Sequence, residues 1–217
     1  MRVLVVYAHP DDGSSHNSMV LREVLGWLDY LEADYRVIDL YREGFDPVMP
    51  HEEWAEESFG GQVRKYQGMV KESDRLIFIY PIWWYTYPAI LKGFFDRVFT
   101  SDFAYNFMKE PAWMKFSKKA FKWFLSLRPL YPLIYSFLPV RQHLRGRKAL
   151  VINTYGGDEA GFMLYGRAPE YAADKAVLEF CGIRPVYRLD WYNTRHAAEM
   201  PPRFKDEIHK KIKKLLA

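Results

Sequence analysis

The chain has 217 residues, enough for one domain, or one domain with an elaboration, around a substantial core. A hydrophobic fraction of 49% and a charged fraction of 27% describe an ordinary soluble globular protein, and a net charge of +4, from 31 Lys and Arg against 27 Asp and Glu, lends no support to a nucleic-acid role. The lone cysteine, Cys181, excludes an intrachain disulfide, while the 18% aromatic content points to flat ligands or interfaces.

Val3 to Ala8 reads as a first strand, apolar throughout and therefore central in its sheet. The run is too short for a signal peptide and lacks a cleavage site, so the expected location is cytoplasmic. A polar loop follows, His9-Pro10-Asp11-Asp12-Gly13-Ser14-Ser15-His16-Asn17, and then a helical stripe from Met19 to Leu31. Strand, polar loop and helix in this order make a phosphate-binding layout, because the helix start offers unpaired N–H groups and the positive end of its dipole. Ser14, Ser15 and Asn17 add hydroxyl and amide donors, although N-capping alone accounts for Ser15. The run Ala8-His9-Pro10-Asp11-Asp12 resembles the zinc loop of N-deacetylases. Gly13 stands where that pattern has Glu, and no His-x-x-His pair supplies a third ligand, so no metal site is expected.

Tyr35 to Leu40 alternates in part and reads as a strand toward a sheet edge. Residues 41–60, with Glu43, Asp46, Glu52, Glu53, Glu56 and Glu57, read as a solvated acidic loop, and Gln62 to Glu72 as a helix returning the chain to the sheet. Leu76 to Tyr80 is an unbroken apolar run, a strand buried on both faces that Pro81 ends. Trp83, Trp84, Tyr85 and Tyr87 cluster just past its carboxyl end, and Pro88 opens a helix with Ile90, Leu91, Phe94, Phe95, Val98 and Phe99 inward. Ligands in open α/β sheets bind beyond the strand carboxyl ends, and a set of flat apolar side chains there suits a flat aromatic ligand. Core packing remains the alternative for any one of these rings.

Lys148 to Thr154 is another buried strand, running into Tyr155-Gly156-Gly157-Asp158, where paired glycines let backbone N–H groups approach a ligand or simply make a tight turn. Ala172 to Phe180 reads as a helix capped by Gly182, with Cys181 a small buried hydrophobe at its end. Pro185 to Trp191 reads as the last strand, and Pro201 or Pro202 opens a terminal helix. Strands near 3–8, 35–40, 76–80, 148–154 and 185–191 alternating with helices predict an α/β fold, a doubly wound five-stranded parallel sheet, with loops after strands one, three and four at one switch-point edge.

Pro81-Ile82-Trp83-Trp84-Tyr85-x-x-Pro88-Ala89-Ile90-Leu91-Lys92-Gly93-x-x-Asp96-Arg97-Val98-Phe99, followed by Phe103-Ala104-Tyr105, closely resembles the signature of the flavodoxin-like NAD(P)H:quinone oxidoreductases. That family includes quinone reductases and ancillary proteins of bacterial potassium-efflux systems. The resemblance implies a flavodoxin-like strand order, FAD or FMN as cofactor, NADH or NADPH as electron donor, a small quinone-like acceptor, two-electron ping-pong transfer and a homodimer. It implies flavin contacts from His9, Ser15, His16 and Asn17, from Pro81, Ile82, Trp83, Trp84 and Tyr85, and from Thr154, Tyr155, Gly156 and Gly157. Tyr105 and Phe107 fill positions that complete the site across the dimer. Where mammalian-type members carry a Tyr and a His for proton handling, this chain has Phe162 and Ala168; nearby Tyr165 is the expected substitute, so Tyr165 and Tyr105 are the expected catalytic groups. The same resemblance leaves a flavin-binding ancillary subunit of a membrane transporter as the alternative function.

Residues 107–147 form a basic, aromatic insertion that compact family members lack, with nine Lys and Arg against the single acid Glu110. On a helical wheel Lys115, Lys118, Lys119 and Lys122 share one face and Trp113, Phe116, Ala120, Phe124 and Leu127 the other. Leu130 to Leu138 is apolar but too short to span a bilayer, which takes about 20 residues. A basic amphipathic helix with Trp and Phe on its apolar face suits a membrane interface, here the inner face; a lid or dimer-packing hairpin is the alternative. Under the membrane reading the protein co-sediments with anionic vesicles, less as salt rises, and not at all when Trp113, Phe116 and Phe124 are all changed to Ser. Failure to bind at low salt assigns the segment to the lid or dimer hairpin.

Overall fold

The computed structural model describes residues 1–11, 13–56, 58–109, 140–164 and 168–217. In chain order the elements are β1 (Arg2–Tyr7), α1 (His16–Tyr30), β2 (Asp34–Asp39), α2 (His51–Ala55), α3 (Gly61–Glu72), β3 (Arg75–Pro81), α4 (Ala89–Val98), β4 (Tyr105–Phe107), β5 (Val140–Gln142), β6 (Lys148–Thr154), α5 (Glu159–Met163), α6 (Glu170–Glu179), β7 (Val186–Trp191) and α7 (Pro202–Leu216). The main sheet is parallel, in the order β2-β1-β3-β6-β7. This is the doubly wound parallel sheet that the strand spacing predicts, in the flavodoxin-like order that the resemblance implies, with β2 at an edge. The chain winds outward from β1 to β2 and then returns past β1 to β3. The loops after β1 and β3 therefore diverge and open a crevice at the carboxyl edge.

Both sheet faces are covered, which is why β1, β3 and β6 are apolar without alternation. Val3, Val5, Ile77, Ile79, Leu150 and Ile152 pack under α1 and α7. Leu4, Val6, Leu76, Phe78, Ala149 and Val151 pack under α3, α4 and α6. Cys181 lies in the second layer, and burial pushes its thiol up to about 12, as befits an inert packing residue. Helix α6 has the wide π-type winding, an irregularity that helical periodicity in the sequence does not reveal.

The acidic stretch 41–60 departs from the expectation of a solvated loop. It contains α2, and Glu53 on that helix is only 5% exposed. Arg97 of α4 donates from Nε and Nη2 to the two Glu53 carboxylate oxygens, each at 2.6 Å, and from Nη1 to the Asp46 carbonyl. The guanidinium also lies over the Phe45 ring. A bidentate pair of this kind repays the desolvation of two ions where a single surface pair would not. It clamps the loop to α4.

The described ends of the expected insertion 107–147 make contacts of their own with the domain. Strands β4 and β5 pair antiparallel, Phe107 opposite Val140, so the chain leaves and re-enters the domain at adjacent points. Leu144 is buried in the core, and Arg147 donates to the carbonyls of Lys71 and Ser73, satisfying the end of α3. Arg147 thus serves the fold, not a basic face. The helix expected over 113–127 and the apolar run 130–138 lie outside the described residues.

Gly93 marks the tightest approach. A Cβ there would overlap the backbone of Pro47, so α4 and the clamped loop meet only over a glycine. Gly93→Ala should cost about 1–3 kcal/mol in urea unfolding by overpacking. Gly68→Ala, in α3 with open space at its Cβ, should instead stabilise by about 0.5–1 kcal/mol.

Candidate functional site

Three loops converge at the carboxyl edge because three adjacent strands end there. The ladder between β3 and β6 continues one bond beyond the strands, from Ile82 N–H to the Thr154 carbonyl at 2.9 Å. The loop after β1 joins through Asn17, whose Nδ2 donates to Thr154 Oγ1 at 2.7 Å. Asn17 Oδ1 is buried without a partner among the described residues, an acceptor left for a ligand donor.

The first loop is organised by Asp11. Its carboxylate accepts from the N–H groups of Gly13 and Ser14 and from Ser14 Oγ, and the Ser14 hydroxyl leads the interactions that hold it below the usual carboxylate range. Ser15 caps α1 by accepting from Ser18 N–H, which leaves its own hydroxyl hydrogen to donate. His9 Nδ1 accepts from Asp11 N–H at 3.0 Å. The ring is therefore neutral with its proton on Nε2, in line with the burial that lowers its pKa. His9 is a fixed donor beside Trp83, ring centres 6.1 Å apart. The ring of His16 turns away from the loop, its Nε2 bonded to the Ala197 carbonyl and its edge against Trp191. What His16 can offer a ligand at this helix start is its backbone N–H.

The second loop folds on itself. Trp83 and Thr86 exchange both backbone hydrogen bonds around Trp84 and Tyr85, whose φ angles are +48° and +60°. This is the two-residue turn that ordinarily takes Asn-Gly, built here from two bulky aromatics. Left-handed backbone costs such residues about 1–2 kcal/mol each. The turn leaves Trp84 94% exposed and Trp83 42% exposed, while Tyr85 packs against Phe162 at 5.0 Å. Pro81 and Ile82 lie buried at its base.

The third loop is pinned from behind. Tyr155 N–H bonds to the Trp191 carbonyl, Asn193 N–H to Gly157 O, and Thr194 to Tyr155 O through both N–H and Oγ1. Neither Gly156 nor Gly157 donates its N–H to an acceptor among the described residues. Arg195 lies across Gly156, where a Cβ would come within 2.9 Å of its Nε. The Tyr155 ring turns inward, buried, with its hydroxyl accepting from Arg188.

The structure thus brings His9, Ser15, Asn17, Ile82, Trp83, Thr154, Gly156 and Gly157 to one carboxyl edge of the sheet. Tyr105 is not among them; its ring packs on Phe180 at 5.1 Å and on Phe107 at 5.4 Å. Tyr165 lies outside the described residues. Asn193, Thr194 and Arg195 are additions that carry no sequence signal beyond following the last strand. The donor set fits a flavin: free glycine N–H groups for a polar ring edge, exposed indoles for a flat face, and Nε2–H, hydroxyl and helix-start donors for an anionic arm. Among the described residues no cluster of His, Cys, Asp and Glu could hold a metal ion.

A family model described as the flavodoxin-like fold matches residues 1–126. The chain is similar to an uncharacterized NAD(P)H oxidoreductase of Escherichia coli, 33% identical over 114 residues, which cover 48% of this chain and 56% of that protein. It is also similar to NAD(P)H dehydrogenase [quinone] 1 of Cavia porcellus, 26% identical over 237 residues, 95% of this chain and 73% of that protein. The match spans little more than half the length of the Escherichia coli protein and of a second, from Haemophilus influenzae. Among solved structures, Smu.1420 from Streptococcus mutans superposes with a TM-score of 0.71 at 28% identity, covering 99% of this chain and 98% of that one.

The strained turn carries its own test. Trp84→Asn removes a ring that nothing in the described chain covers and relieves a left-handed tryptophan. It should stabilise the ligand-free protein by about 1 kcal/mol in urea unfolding.

Proposed function

The chain belongs to the family of flavodoxin-like fold, and from that premise we propose that it is a flavin-dependent NAD(P)H oxidoreductase that reduces quinones or similar flat acceptors by two-electron, ping-pong transfer. The observation that carries this reading is the convergence of two exposed tryptophans, two glycine N–H groups without acceptors among the described residues and the helix-start loop on one carboxyl edge. The names of the Escherichia coli and Cavia porcellus relatives support the NAD(P)H and quinone parts of it.

A flavin bound there, FAD or FMN, would supply reversible transfer of two electrons. The chain's part is to bind, orient and polarise. Gly156 and Gly157 would direct their N–H groups at the polar edge of the ring, with Arg195 adding positive charge beside them; donors aimed at developing negative charge favour the reduced state. Trp83 and Trp84 would cover a ring face and exclude water. His9 Nε2–H, the Ser15 hydroxyl and the N–H groups opening α1 would hold the phosphate arm. In a homodimer Tyr105 and Phe107, on the β4–β5 hairpin, would complete the partner's site; Phe107 is largely exposed in the single chain. Residues 107–147 would add a membrane contact, with a lid or a dimer-packing hairpin as the alternative. Among the described residues no helix is long and apolar enough to cross a membrane.

Flavin fluorescence quenching tests the reading. The protein should quench FAD or FMN on binding, Gly157→Val should weaken that binding by blocking backbone approach, and Trp84→Asn should weaken it by about 1–3 kcal/mol through lost stacking. Cys181→Ala should bind as the unaltered protein does. Retention of neither flavin would overturn the function, and a fully active monomer in light scattering would overturn the dimer.

A further inference from the structure

Beside the glycine turn a cavity of about 650 Å³ opens between the end of β6, α5, the start of α6 and β7. That volume lies in the range of roughly 300–1,000 Å³ that takes a small flat molecule. Tyr155, Phe162 and Tyr192 give it an aromatic wall, and Arg188 and Asp190 of β7 line it opposite. Arg188 is the centre of a half-buried ionic cluster. Its Nη1 donates to both oxygens of Asp174 at 3.1 Å, its Nε to both oxygens of Asp190 at 3.0 and 3.1 Å, and its Nη2 to the Tyr155 hydroxyl at 3.0 Å. One guanidinium thus serves two carboxylates, and one negative charge is left over in a site where Asp174 is 5% and Asp190 21% exposed. Leaving that charge uncompensated is costly, and a proton is the cheapest compensation, as in other close carboxylate pairs.

The surroundings agree. Burial pushes the Asp174 carboxyl up to about 7 and Asp190 upward as well, with Arg188 pulling both back. From β3 the buried Tyr80 hydroxyl faces the cluster. Glu170 on α6 adds negative charge that favours the proton. Glu159 and Arg203 stand on the cavity wall with opposite charges.

We propose that this carboxyl pair is the acid that protonates the acceptor, with Asp190 on the cavity wall giving the proton and Asp174 and Arg188 positioning it. The assignment rests on the oxidoreductase reading above. A quinone becomes a hydroquinone by gaining two electrons and two protons. A hydride brings both electrons and one proton, so an acid must transfer the second proton to an acceptor oxygen. Asp190 loses that proton, its carboxylate stays paired with Arg188, and water entering the open cavity restores the proton.

The experiment has two arms. In flavin-loaded protein reduced with NADH or NADPH and mixed with 1,4-benzoquinone, the oxidative step should slow as rising pH takes the shared proton from the carboxyl pair, while the reductive step should not follow that profile. Asp190→Asn should slow the oxidative step about 100-fold and flatten its pH profile, and Asp190→Glu should restore part of both. Asn keeps an oxygen for Arg188 and leaves a balanced pair with Asp174, so the fold is retained. Asp174→Asn should shift the profile to lower pH, because Arg188 then acts on Asp190 alone. The second arm uses flavin-free protein. A raised carboxyl stabilises the folded state most below its unfolded pKa and loses that contribution as pH rises through its folded value. The melting temperature of the unaltered protein relative to Asp174→Asn should therefore fall between about pH 4 and 7. An Asp190→Asn variant with the original oxidative rate and profile, or a melting difference that ignores pH, overturns the assignment. A protein that binds neither flavin overturns the functional reading and the acid's role with it, and the melting difference then reports the shared proton alone.

Discussion

The hydrogen bond from Ile82 N–H to the Thr154 carbonyl extends the central ladder just past Pro81, where the strand itself has ended. It fixes the aromatic turn and the glycine turn in one register, because both loops leave the sheet from adjacent, paired residues. Asn17 adds α1 to the same point through Thr154 Oγ1, and Trp191 adds β7 through Tyr155 N–H. Four elements therefore meet at Thr154. The crevice inherits the rigidity of a sheet buried on both faces, which is what a site must have if its donors are to wait in place for a ligand.

Within that frame the chain accepts a locally unfavourable backbone. Two successive aromatics take left-handed φ in a turn that Asn-Gly would make without strain. The exchange leaves the Trp84 ring uncovered. Neither change benefits the isolated fold, and the same residues carry the strongest sequence signal for a flat ligand. A place where local preference and structure disagree is where function is expected to hold the balance.

The sheet was legible because a parallel strand under two helical layers must be apolar at every position, and Val3–Ala8, Leu76–Tyr80 and Ala149–Ile152 say so without ambiguity. That three loops meet at the carboxyl edge followed from the strand ends. What escaped the sequence were pairings between distant residues. Glu53 looks like any other acid in a run of acids, and its partner Arg97 lies 44 residues on, in a helix whose apolar stripe draws the eye. Arg188 and Asp190 alternate along an edge strand as solvent-facing charges do, but α6 covers that face and supplies Asp174. The rings of His16 and Tyr155 sit in the right segments with their side chains turned elsewhere. Position in the chain fixes where a backbone N–H goes more firmly than where a side chain points.

The two ionic clusters show how charge count separates a structural role from a chemical one. Glu53 and Arg97 are balanced, one carboxylate to one guanidinium, and Arg97 holds Glu53 below the usual carboxylate range. That pair gives stability above the unfolded carboxylate pKa and loses it only as acid protonates the folded form, so it is constant through the neutral range. Asp174, Asp190 and Arg188 are unbalanced by one charge, and burial moves the first carboxyl into the neutral range. Its contribution has the opposite sign, present in acid and lost as pH rises toward neutrality. A cluster selected for stability alone would gain by losing one carboxylate and becoming like the first. The second carboxylate is kept beside a cavity that Tyr155, the residue before the two glycines, also lines, where a group holding a proton near neutral pH has a chemical use and a permanently ionised one has none.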